Sequence, residues 1–358
     1  MGLKILHSAD WHLDSPFQGF TEQQRQFLKE AQMQIPGKIA DLCRREDCDM
    51  VLLAGDIFDV EARPETVALL KRELENCGVP VLISPGNHDF YTDGSPWKEE
   101  AWPENVYIFK HPVMETVLIP ALDCAVYGAG YDAMDCPALL EGFHTVGDSK
   151  WHIGVLHGDA TNTSSSYCPV SPQQVRLSGL HYLALGHIHK TGSFRSGDAL
   201  CAWPGCPMGH GYDETGIKGV ILLELGENTK AEFRPLDTPR FYDEELEVGA
   251  DPAQALATVL PGVTTEDYYR ITLTGYSNNL DVDALRKEFA HVKNLVLRDK
   301  TIPEQELWGA VGKDSLEGMY FSILHDGLDT ESEILQQRIK LAARISRQIL
   351  DGQEVTLP

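Results

Sequence analysis

The residues best suited to chemistry form five short polar clusters, each of which follows an apolar run. The run from Met50 to Ala54 leads into Asp56, and a second carboxylate, Asp59, stands three residues further on. A single Gly-Asp pair after such a run is more often a turn that ends a buried strand. The other four clusters are Asp10-Trp11-His12, Asn87-His88-Asp89, His157-Gly158-Asp159 and His187-Ile188-His189. Five such clusters at successive strand ends predict one shared site of polar ligands.

These clusters resemble the signature of the calcineurin-like metallophosphoesterase superfamily. Within it, the opening from His7 to Leu13 and the length of 358 residues are similar to the SbcD-like (YhaO-type) DNA repair exonucleases. The motifs extend from residue 7 to residue 189, and the resemblance continues to residue 240 and is much weaker beyond it. It implies an α/β fold in which a two-sheet sandwich is flanked by helices.

The resemblance also implies a pair of divalent metal ions. Two cations about 3.5 to 4 Å apart need a bridging carboxylate and can clamp both the attacking and the leaving oxygen of a phosphoryl displacement, and we assign the bridge to Asp56. Carboxylate, imidazole and amide ligands without thiolate favour Mn, Fe or Zn over Mg, and the family favours Mn. By resemblance, the other ligands are Asp10, His12 and His189 at one ion and Asn87, His157 and His187 at the second.

Two further residues are expected to assist the reaction. A water or hydroxide between the cations would have a lowered pKa and attack phosphorus in line. His88 is not a ligand in the resembling family, and a side chain with a pKa near neutrality can stabilise the transition state or protonate the departing oxygen. Asp59 is predicted to hydrogen-bond to His88 and to fix its tautomer and charge, with a turn-capping role as the alternative.

Histidines outside the motifs are expected to be structural. His210 stays open, because it lies in a Gly/Pro-rich loop from Pro204 to Gly211 that follows the predicted metal ligands. Relatives carry a Pro-Gly-Ser or similar turn there, and Cys206 in place of a hydroxyl leaves a substrate contact at this loop in doubt. The histidines expected to be structural are His7, His111, His144, His152, His181, His291 and His325.

The elements that position the clusters alternate between apolar strands and helices. This alternation predicts parallel strands covered by helices, with ligands at the carboxyl ends of the strands. Residues Thr21 to Cys48 predict a helix disturbed at Pro36-Gly37, and Pro64 to Cys77 predicts a second helix. The strands Ala199 to Trp203 and Gly219 to Leu225, with Ala231 to Leu236 as a third, are expected to complete the second half of the sandwich.

Three segments are predicted, namely a catalytic domain over 1–240, a capping domain over 241–300, and a linker with a C-terminal helix over 301–358. Strands and helices between Glu244 and Arg298 predict a small α/β domain, which in the resembling family contacts nucleic acid. Ile302 to Leu328 is poorly periodic and is predicted to be a linker. The box Thr330-Glu331-Ser332-Glu333 predicts the start of a last helix that ends near Leu350.

This last helix is predicted to dock a partner. Members of the resembling family bind a coiled-coil ABC-type ATPase through segments near the C-terminus. The alternative is a helix that packs its apolar face on its own capping domain and leaves its basic strip in solvent. On a helical wheel, the apolar face comprises Leu335, Ile339, Ala342, Ile345 and Ile349, and the basic strip comprises Lys340, Arg344 and Arg347.

The composition restricts the partners. The net charge of -24 is shared by both halves of the chain, which argues against tight, unaided DNA binding, because Lys and Arg contacts to phosphate supply most of the sequence-independent affinity. Metal ions in an acidic site would invert the local charge.

Eight scattered cysteines without a CxxC pair predict reduced, buried thiols in a cytoplasmic protein. No apolar run is long enough for a membrane span or signal peptide.

Three functions fit these observations. The first is a two-metal phosphodiesterase that acts on DNA as an exonuclease or endonuclease, with DNA and the ATPase as partners and a homodimer left open. The second is a small-molecule phosphodiesterase or phosphatase of the same superfamily, because fold and metals do not select the substrate. The third is a weakly catalytic scaffold protein that binds an ATPase, which the intact ligand motifs disfavour.

Overall fold

The apolar runs before the polar clusters form strands of two sheets in a computed structural model, which describes residues 2–59, 61–227, 229–249, 251–278, 280–330 and 332–352. The chain divides into two units, Met1–Phe241 (unit 1) and Tyr242–Pro358 (unit 2). Every predicted site residue belongs to unit 1. The last six residues of the predicted 301–358 segment lie outside the described residues.

The strands of unit 1 are β1 (Leu3–Ser8), β2 (Met50–Leu53), β3 (Val81–Ile83), β4 (Val106–Ile108), β5 (Glu115–Ile119), β6 (Cys124–Gly128), β7 (Trp151–His157), β8 (Tyr182–Gly186), β9 (Gly192–Ser196), β10 (Ala199–Trp203), β11 (Gly219–Leu225) and β12 (Lys230–Pro235). They form two six-stranded sheets, ordered β12-β11-β1-β2-β3-β4 and β5-β6-β7-β8-β10-β9. Strands β1 to β4 are parallel, as are β6, β7, β8 and β10. The predicted two-sheet α/β fold is confirmed.

The core of unit 1 lies between the two sheets. Strands β2 and β8 are buried along their whole length, as expected for parallel strands covered on both faces. A single apolar cluster includes Ile5 and Leu52 from the first sheet and Val155 from the second. Within it, His7 of β1 hydrogen-bonds to the Tyr182 hydroxyl of β8 at 2.8 Å. His7 therefore joins the sheets and is structural, as predicted.

Two strands, β11 and β12, lie in a different sheet from the one predicted. Strand β10 joins the second sheet as predicted, but β11 pairs antiparallel with β1 in the first sheet, with Leu3 opposite Leu225. Nearly all of β11 is buried, so its apolar run fits the interior of either sheet. Hydrophobic pattern alone does not choose between two buried neighbours.

The helices of unit 1 are α1 (Glu22–Gln32), α2 (Ile35–Arg45), α3 (Pro64–Asn76), α4 (Pro96–Glu99) and α5 (Pro172–Ser178). Thr21 caps α1 in a capping box with Gln24, and α3 starts at Pro64 as predicted. The helix predicted over Thr21 to Cys48 is interrupted as expected, but the break lies before Ile35 rather than at Pro36-Gly37. Pro36 lies in the first turn of α2, where its missing N–H costs no helical hydrogen bond.

Unit 2 contains a small sheet and five helices among its described residues. The strands between 244 and 298 were predicted, and β14 and β15 are parallel. Its core includes Ile271, Leu273 and Val292. The elements are β13 (Phe241–Glu247), α6 (Pro252–Val259), β14 (Thr265–Thr274), α7 (Val282–Glu288), β15 (Val292–Asp299), α8 (Glu304–Leu307), α9 (Leu316–Asp326) and α10 (Glu333–Leu350).

The predicted linker over Ile302 to Leu328 is wrong, because α8 and α9 form there and pack with α10. Their small core consists of Leu307, Ala310, Phe321 and Ala343. Helix α9 lacks a clear apolar stripe because it carries apolar residues on its buried and its exposed faces. The start of α10 also differs from the prediction, since its N-cap is Ser332, whose side chain accepts a hydrogen bond from the Leu335 N–H.

Two residues of the basic strip of α10 are largely buried, whereas the side chain of Lys340 is 41% exposed. Arg344 and Arg347 are each 18% exposed at the side chain, and Arg347 also lies over the Phe321 ring at 4.6 Å. The alternative in which the basic strip lies in solvent is therefore wrong for Arg344 and Arg347, and docking of a partner by α10 stays a prediction. The ion pairs of the strip are Lys340 with Glu304, Arg344 with Glu247 and Arg347 with Glu317.

The eight cysteines are free and buried, as predicted. Among the described residues, the helices are all too short or too polar to span a membrane.

Candidate metal centre

The five polar clusters meet at the carboxyl ends of strands from both sheets. Asp10 and His12 follow β1, Asp56 follows β2 and Asn87 follows β3. From the second sheet, His157 ends β7, and His187 and His189 follow β8. Because parallel strands end at the same edge of a sheet, residues far apart in sequence converge there.

Four of these residues adopt the left-handed backbone conformation. The φ angles are 55° at Asp10, 45° at His12, 51° at Asp56 and 87° at His187. Left-handed backbone costs a non-glycine residue roughly 1–2 kcal/mol, and it persists only where the surroundings impose it. The N–H groups of Asp10 and His12 donate to the carbonyls of Gly55 and Asp56, each at 2.9 Å. These bonds tie the turn after β1 to the turn after β2.

Asp56 lies at the centre of the cluster. Its Oδ1 accepts a hydrogen bond from the His88 N–H at 2.9 Å. Its Oδ2 is 3.3 Å from His157 Nε2 and 3.8 Å from His12 Nε2. A Cβ on Gly86 would lie 2.2 Å from Asp56 Oδ1, so only glycine allows the turn after β3 to approach this carboxylate. Asp56 is therefore in reach of both predicted ligand groups.

The imidazoles present lone pairs toward one another. His157 Nδ1 is 2.9 Å from the Ala54 carbonyl oxygen, so Nδ1 carries the proton and Nε2 is unprotonated in the neutral ring. That Nε2 lies 2.9 Å from Oδ1 of Asn87. Likewise, Nε2 of His12 and Nε2 of His189 are 3.1 Å apart. When the rings have lost their second proton, these atoms face one another as acceptors, and a shared cation would satisfy them.

A second observation supports a cation at this place. Asp10 is fully buried, and its Oδ2 is without a hydrogen-bond partner among the described residues. Its other oxygen accepts the His187 N–H at 2.8 Å. A buried carboxylate oxygen needs a donor or a positive charge. Three-residue groups whose donor atoms lie within 4.8 Å of one another include Asp10, His12 and His189, and Asp10, Asp56 and His157. The residues present fit a pair of metal ions.

Asn87 and His187 lie at the second group. Asn87 contacts His157 as described, and the ring of His187 packs on the ring of His157 with centroids 5.2 Å apart. The Tyr167 ring covers the other side of His187 at 4.8 Å. Among the seven predicted ligands, His187 contacts the others through its ring and its backbone N–H. Among the described residues, its imidazole makes no hydrogen bond to another predicted ligand.

Charge and burial set opposite proton affinities within the site. Burial lowers the pKa of His12 to about 3 and that of His187 to about 4, which keeps both rings neutral, as metal ligands must be. Burial also acts on His157 and His189, but the carboxylates of Asp56, Asp10 and Glu214 outweigh it and raise each pKa to about 9. Protons on these two rings balance the carboxylates, and metal binding would release them.

His88 and Asp59 lie beside the cluster. His88 Nδ1 is 3.1 Å from Asp59 Oδ1, and the His88 side chain is 40% exposed. The hydrogen bond to Asp59 raises the pKa of His88. Its ring lies 4.6 Å from the ring of His12. His88 is thus the exposed imidazole next to the buried centre, and Asp59 makes the contact predicted for it.

Two residues near the centre were not given a role from the sequence. Asp89 is buried and accepts the N–H groups of Ile57, Phe58 and Gly86 at 2.8 to 3.2 Å, which holds the turns after β2 and β3 together. The position of Asp89 in the Asn87-His88-Asp89 cluster could have indicated this role from the sequence. Glu214 contacts His189 but stands outside the motifs, and no spacing in the sequence indicated it.

The chain belongs to the calcineurin-like phosphoesterase family. The family model matches residues 3–191, the segment that carries all five clusters. Proteins of this family bind two metal ions at one site, and the clusters described above are the candidate ligands here.

The chain is similar to family members with different names, and the share of each protein covered by the alignment differs. The chain is 34% identical over 239 residues to the metallophosphoesterase YhaO of Bacillus subtilis, and the alignment covers 62% of this chain and 57% of YhaO. It is 30% identical over 324 residues to the SbcD component of the nuclease SbcCD of Staphylococcus epidermidis, covering 78% and 81% of the two chains. A dimetal phosphatase from Danio rerio is 14% identical, with a TM-score of 0.43 over 65% of this chain and 98% of that one.

We expect Asp56→Asn to remove most of the bound metal. Asparagine tolerates the left-handed backbone and keeps an oxygen for the His88 N–H, so the change removes charge with little change of shape. The affinity for metal should fall by more than the roughly 10- to 100-fold that loss of a residue supporting a ligand costs. Elemental analysis after dialysis measures the metal content, with the exposed Asp41→Asn as control. Two retained equivalents would exclude Asp56 as the bridge.

Proposed function

We propose that this protein is a two-metal phosphodiesterase that cleaves DNA, with manganese as its metal. The observation that carries the proposal is the buried group of carboxylates and imidazoles around Asp56, which lies within 4 Å of histidines from both ligand groups. The proposed ligands are Asp10, His12, Asp56 and His189 for one ion and Asp56, Asn87, His157 and His187 for the other. Bound ions of this kind supply a nucleophilic water and neutralise charge on the phosphoryl oxygens.

The protein's own residues hold this arrangement rigid. The left-handed turns at Asp10, His12 and Asp56 aim their side chains inward, and Asp89 fixes two of the turns through main-chain hydrogen bonds. The Ala54 carbonyl fixes the tautomer of His157. A site held in this way needs little reorganisation when charge develops on the substrate, which is the main requirement for electrostatic stabilisation of a transition state.

His88 is the proposed acid for the departing oxygen. It is exposed enough to reach a substrate, and the carboxylate of Asp59 favours its charged form. A protonated imidazole can donate to an oxygen that gains negative charge as its bond to phosphorus breaks. Asp59 thus acts through His88, by holding the ring and its proton.

DNA as the substrate is supported by the relatives. The SbcD component of the nuclease SbcCD of Staphylococcus epidermidis aligns with this chain well beyond residue 191, the end of the family match, since the alignment covers 78% of the chain. We assign residues 1–240 to catalysis and residues 241–300 to a capping domain that contributes DNA contacts.

A small phosphodiester or phosphomonoester is the second candidate. The net charge of -24 disfavours a polyanion as the substrate of the isolated chain, because 54 acidic side chains outnumber the 30 Lys and Arg side chains that could replace the counterions of DNA. A small substrate would need only the metal ions and a few neighbouring groups.

A coiled-coil ABC-type ATPase is the proposed partner, and α9 is the proposed docking surface. Leu316, Met319 and Ile323 are 86%, 63% and 70% exposed, and their spacing of three and four residues places them on one face of α9. Exposed apolar residues grouped in this way are typical of interaction surfaces. The partner would also supply cationic groups for DNA to a chain whose net charge is -24.

We expect His88→Gln to keep both metal ions and to lower the rate of diester cleavage by about 10²- to 10⁴-fold, the usual contribution of a positioned acid. Glutamine retains a polar side chain but cannot donate a proton in this way. Single-turnover rates and metal content are measured together, with the exposed His111→Gln as control. A loss of metal that parallels the loss of rate would make His88 a ligand instead.

Three substrates separate the two candidate functions, namely linear duplex DNA, bis-p-nitrophenyl phosphate and p-nitrophenyl phosphate, each with Mn²⁺. We expect DNA cleavage that falls steeply as salt is raised, because phosphate contacts are screened, while hydrolysis of the small diester changes little. Monoester hydrolysis far faster than DNA cleavage would favour the small-molecule function. Asp56→Asn should be inactive on all three substrates.

The double variant Met319→Glu/Ile323→Glu should abolish copurification with the coiled-coil ATPase and leave hydrolysis of bis-p-nitrophenyl phosphate unchanged. Two charges on the outer face of α9 oppose burial of that face against a partner. Val263→Glu is the matched control, because Val263 is 70% exposed elsewhere in unit 2. Undiminished copurification of the double variant would exclude this face.

A further inference from the structure

The loop that follows β10 encloses His189. The Glu214 side chain, 12% exposed, hydrogen-bonds through Oε1 to Nδ1 of His189. Its second oxygen, Oε2, lies 2.8 Å from both the backbone N and the Nδ1 of His210, and 3.4 Å from the Sγ of Cys206. Both oxygens of this carboxylate are therefore engaged, one by a predicted metal ligand and one by the Gly/Pro-rich loop.

The same loop also holds the main chain of His189. Lys218 Nζ donates to the His189 carbonyl at 3.3 Å, and the thiol of Cys206 lies 3.8 Å from the same oxygen. Gly205 has φ +75°, and a Cβ there would lie 2.5 Å from this oxygen. Glycine is needed at this position for both reasons. The ring and the backbone of His189 are thus fixed by one segment, residues 204–218.

Hydrogen-bond chemistry gives this contact a direction. An ionised carboxylate only accepts hydrogen bonds, so the Glu214 contact requires a proton on Nδ1 of His189. In the neutral ring, Nε2 then carries the lone pair. This Nε2 lies 3.1 Å from Nε2 of His12. A carboxylate that holds the remote nitrogen of a ligating histidine fixes the ring and raises its basicity.

We propose that Glu214 is a positioning residue for the metal ion bound by His189, and that His210 and Cys206 hold the Glu214 carboxylate in place. This proposal rests on the proposed two-metal function. It adds Glu214 behind the ligand His189, and His210 and Cys206 behind Glu214. It gives His210 a supporting role. His210 is itself fixed by stacking on Phe17, with ring centroids 5.9 Å apart and an interplanar angle of 24°.

The same four residues could instead form a separate metal site. Donor atoms of His189, Cys206, His210 and Glu214 lie within 4.8 Å of one another. The hydrogen bonds described above favour the positioning role, because they already satisfy both oxygens of Glu214 and use the Nδ1 proton of His189. The two arrangements differ in metal stoichiometry, with two ions per chain for the positioning role and three for a separate site.

Calorimetric titration of the full chain with Mn²⁺ tests the proposal. We expect Glu214→Ala to weaken one of two binding steps by about 10- to 100-fold, the usual cost of losing such a partner, and to leave the other step unchanged. Glu214→Gln keeps a carbonyl oxygen for the Nδ1 proton and should restore part of the affinity. Asp213→Asn, an exposed neighbour, removes the same charge and should bind Mn²⁺ like the unaltered chain.

A second readout reports on the His189 ring itself. In the Zn²⁺-loaded protein, ¹⁵N NMR of the histidines should show His189 protonated at Nδ1. The hydrogen bond to Glu214 should shift the resonance of that proton downfield, and Glu214→Ala should remove the shift. His210→Phe retains the stacking partner of Phe17 and should weaken the same Mn²⁺ step by a smaller factor. This variant keeps the test open if Glu214→Ala fails to fold.

Unchanged affinity in Glu214→Ala, or a third equivalent of metal that this variant loses, would overturn the proposal. The outcome is independent of substrate. If the unaltered chain binds two Mn²⁺ but does not cleave DNA, the proposed nuclease function fails while the titration of Glu214 variants still decides this inference.

Discussion

Two carboxylates, Asp10 and Asp56, are buried where the strand ends of both sheets meet, and the rest of the site depends on this concentration of negative charge. An unpaired buried charge costs several kcal/mol. Part of that cost is offset by the N–H groups of His88 and His187, which donate to these carboxylates. One oxygen of Asp10 is left without a donor among the described residues. The fold therefore creates a demand for positive charge at a single place, and cations with several oxygen and nitrogen ligands satisfy it.

The place of the proposed ligands at the strand ends could be predicted from the sequence because it depends on short-range order. An apolar run long enough for a buried strand fixes where its carboxyl end lies, and parallel pairing brings those ends together. The left-handed backbone of Asp10 and Asp56 could not be predicted, since it is imposed by hydrogen bonds between turns some 45 residues apart along the chain. Glu214 was missed for the same reason: it reaches His189 through the fold rather than through a motif.

Unit 2 was predicted less well beyond residue 300. Periodicity identifies a helix when one face is apolar and the other polar, and α9 departs from this rule with Phe321 buried and Ile323 exposed. A helical wheel also does not show which basic residues have acidic neighbours from other elements. Arg344 and Arg347 find such neighbours in Glu247 and Glu317, so two side chains that look solvent-facing in sequence are turned toward the protein.

The centre draws Asp56 from the first sheet and His157 from the second, and these side chains approach to 3.3 Å. A contact between these residues exists only when both sheets are in place, because each sheet supplies one of the two side chains. Cations bound there would recognise only the assembled sandwich, and a ligand at 100 times its Kd adds about 2.7 kcal/mol to the stability of the state that binds it. Ions bound at these residues would therefore stabilise the packing of the two sheets against each other.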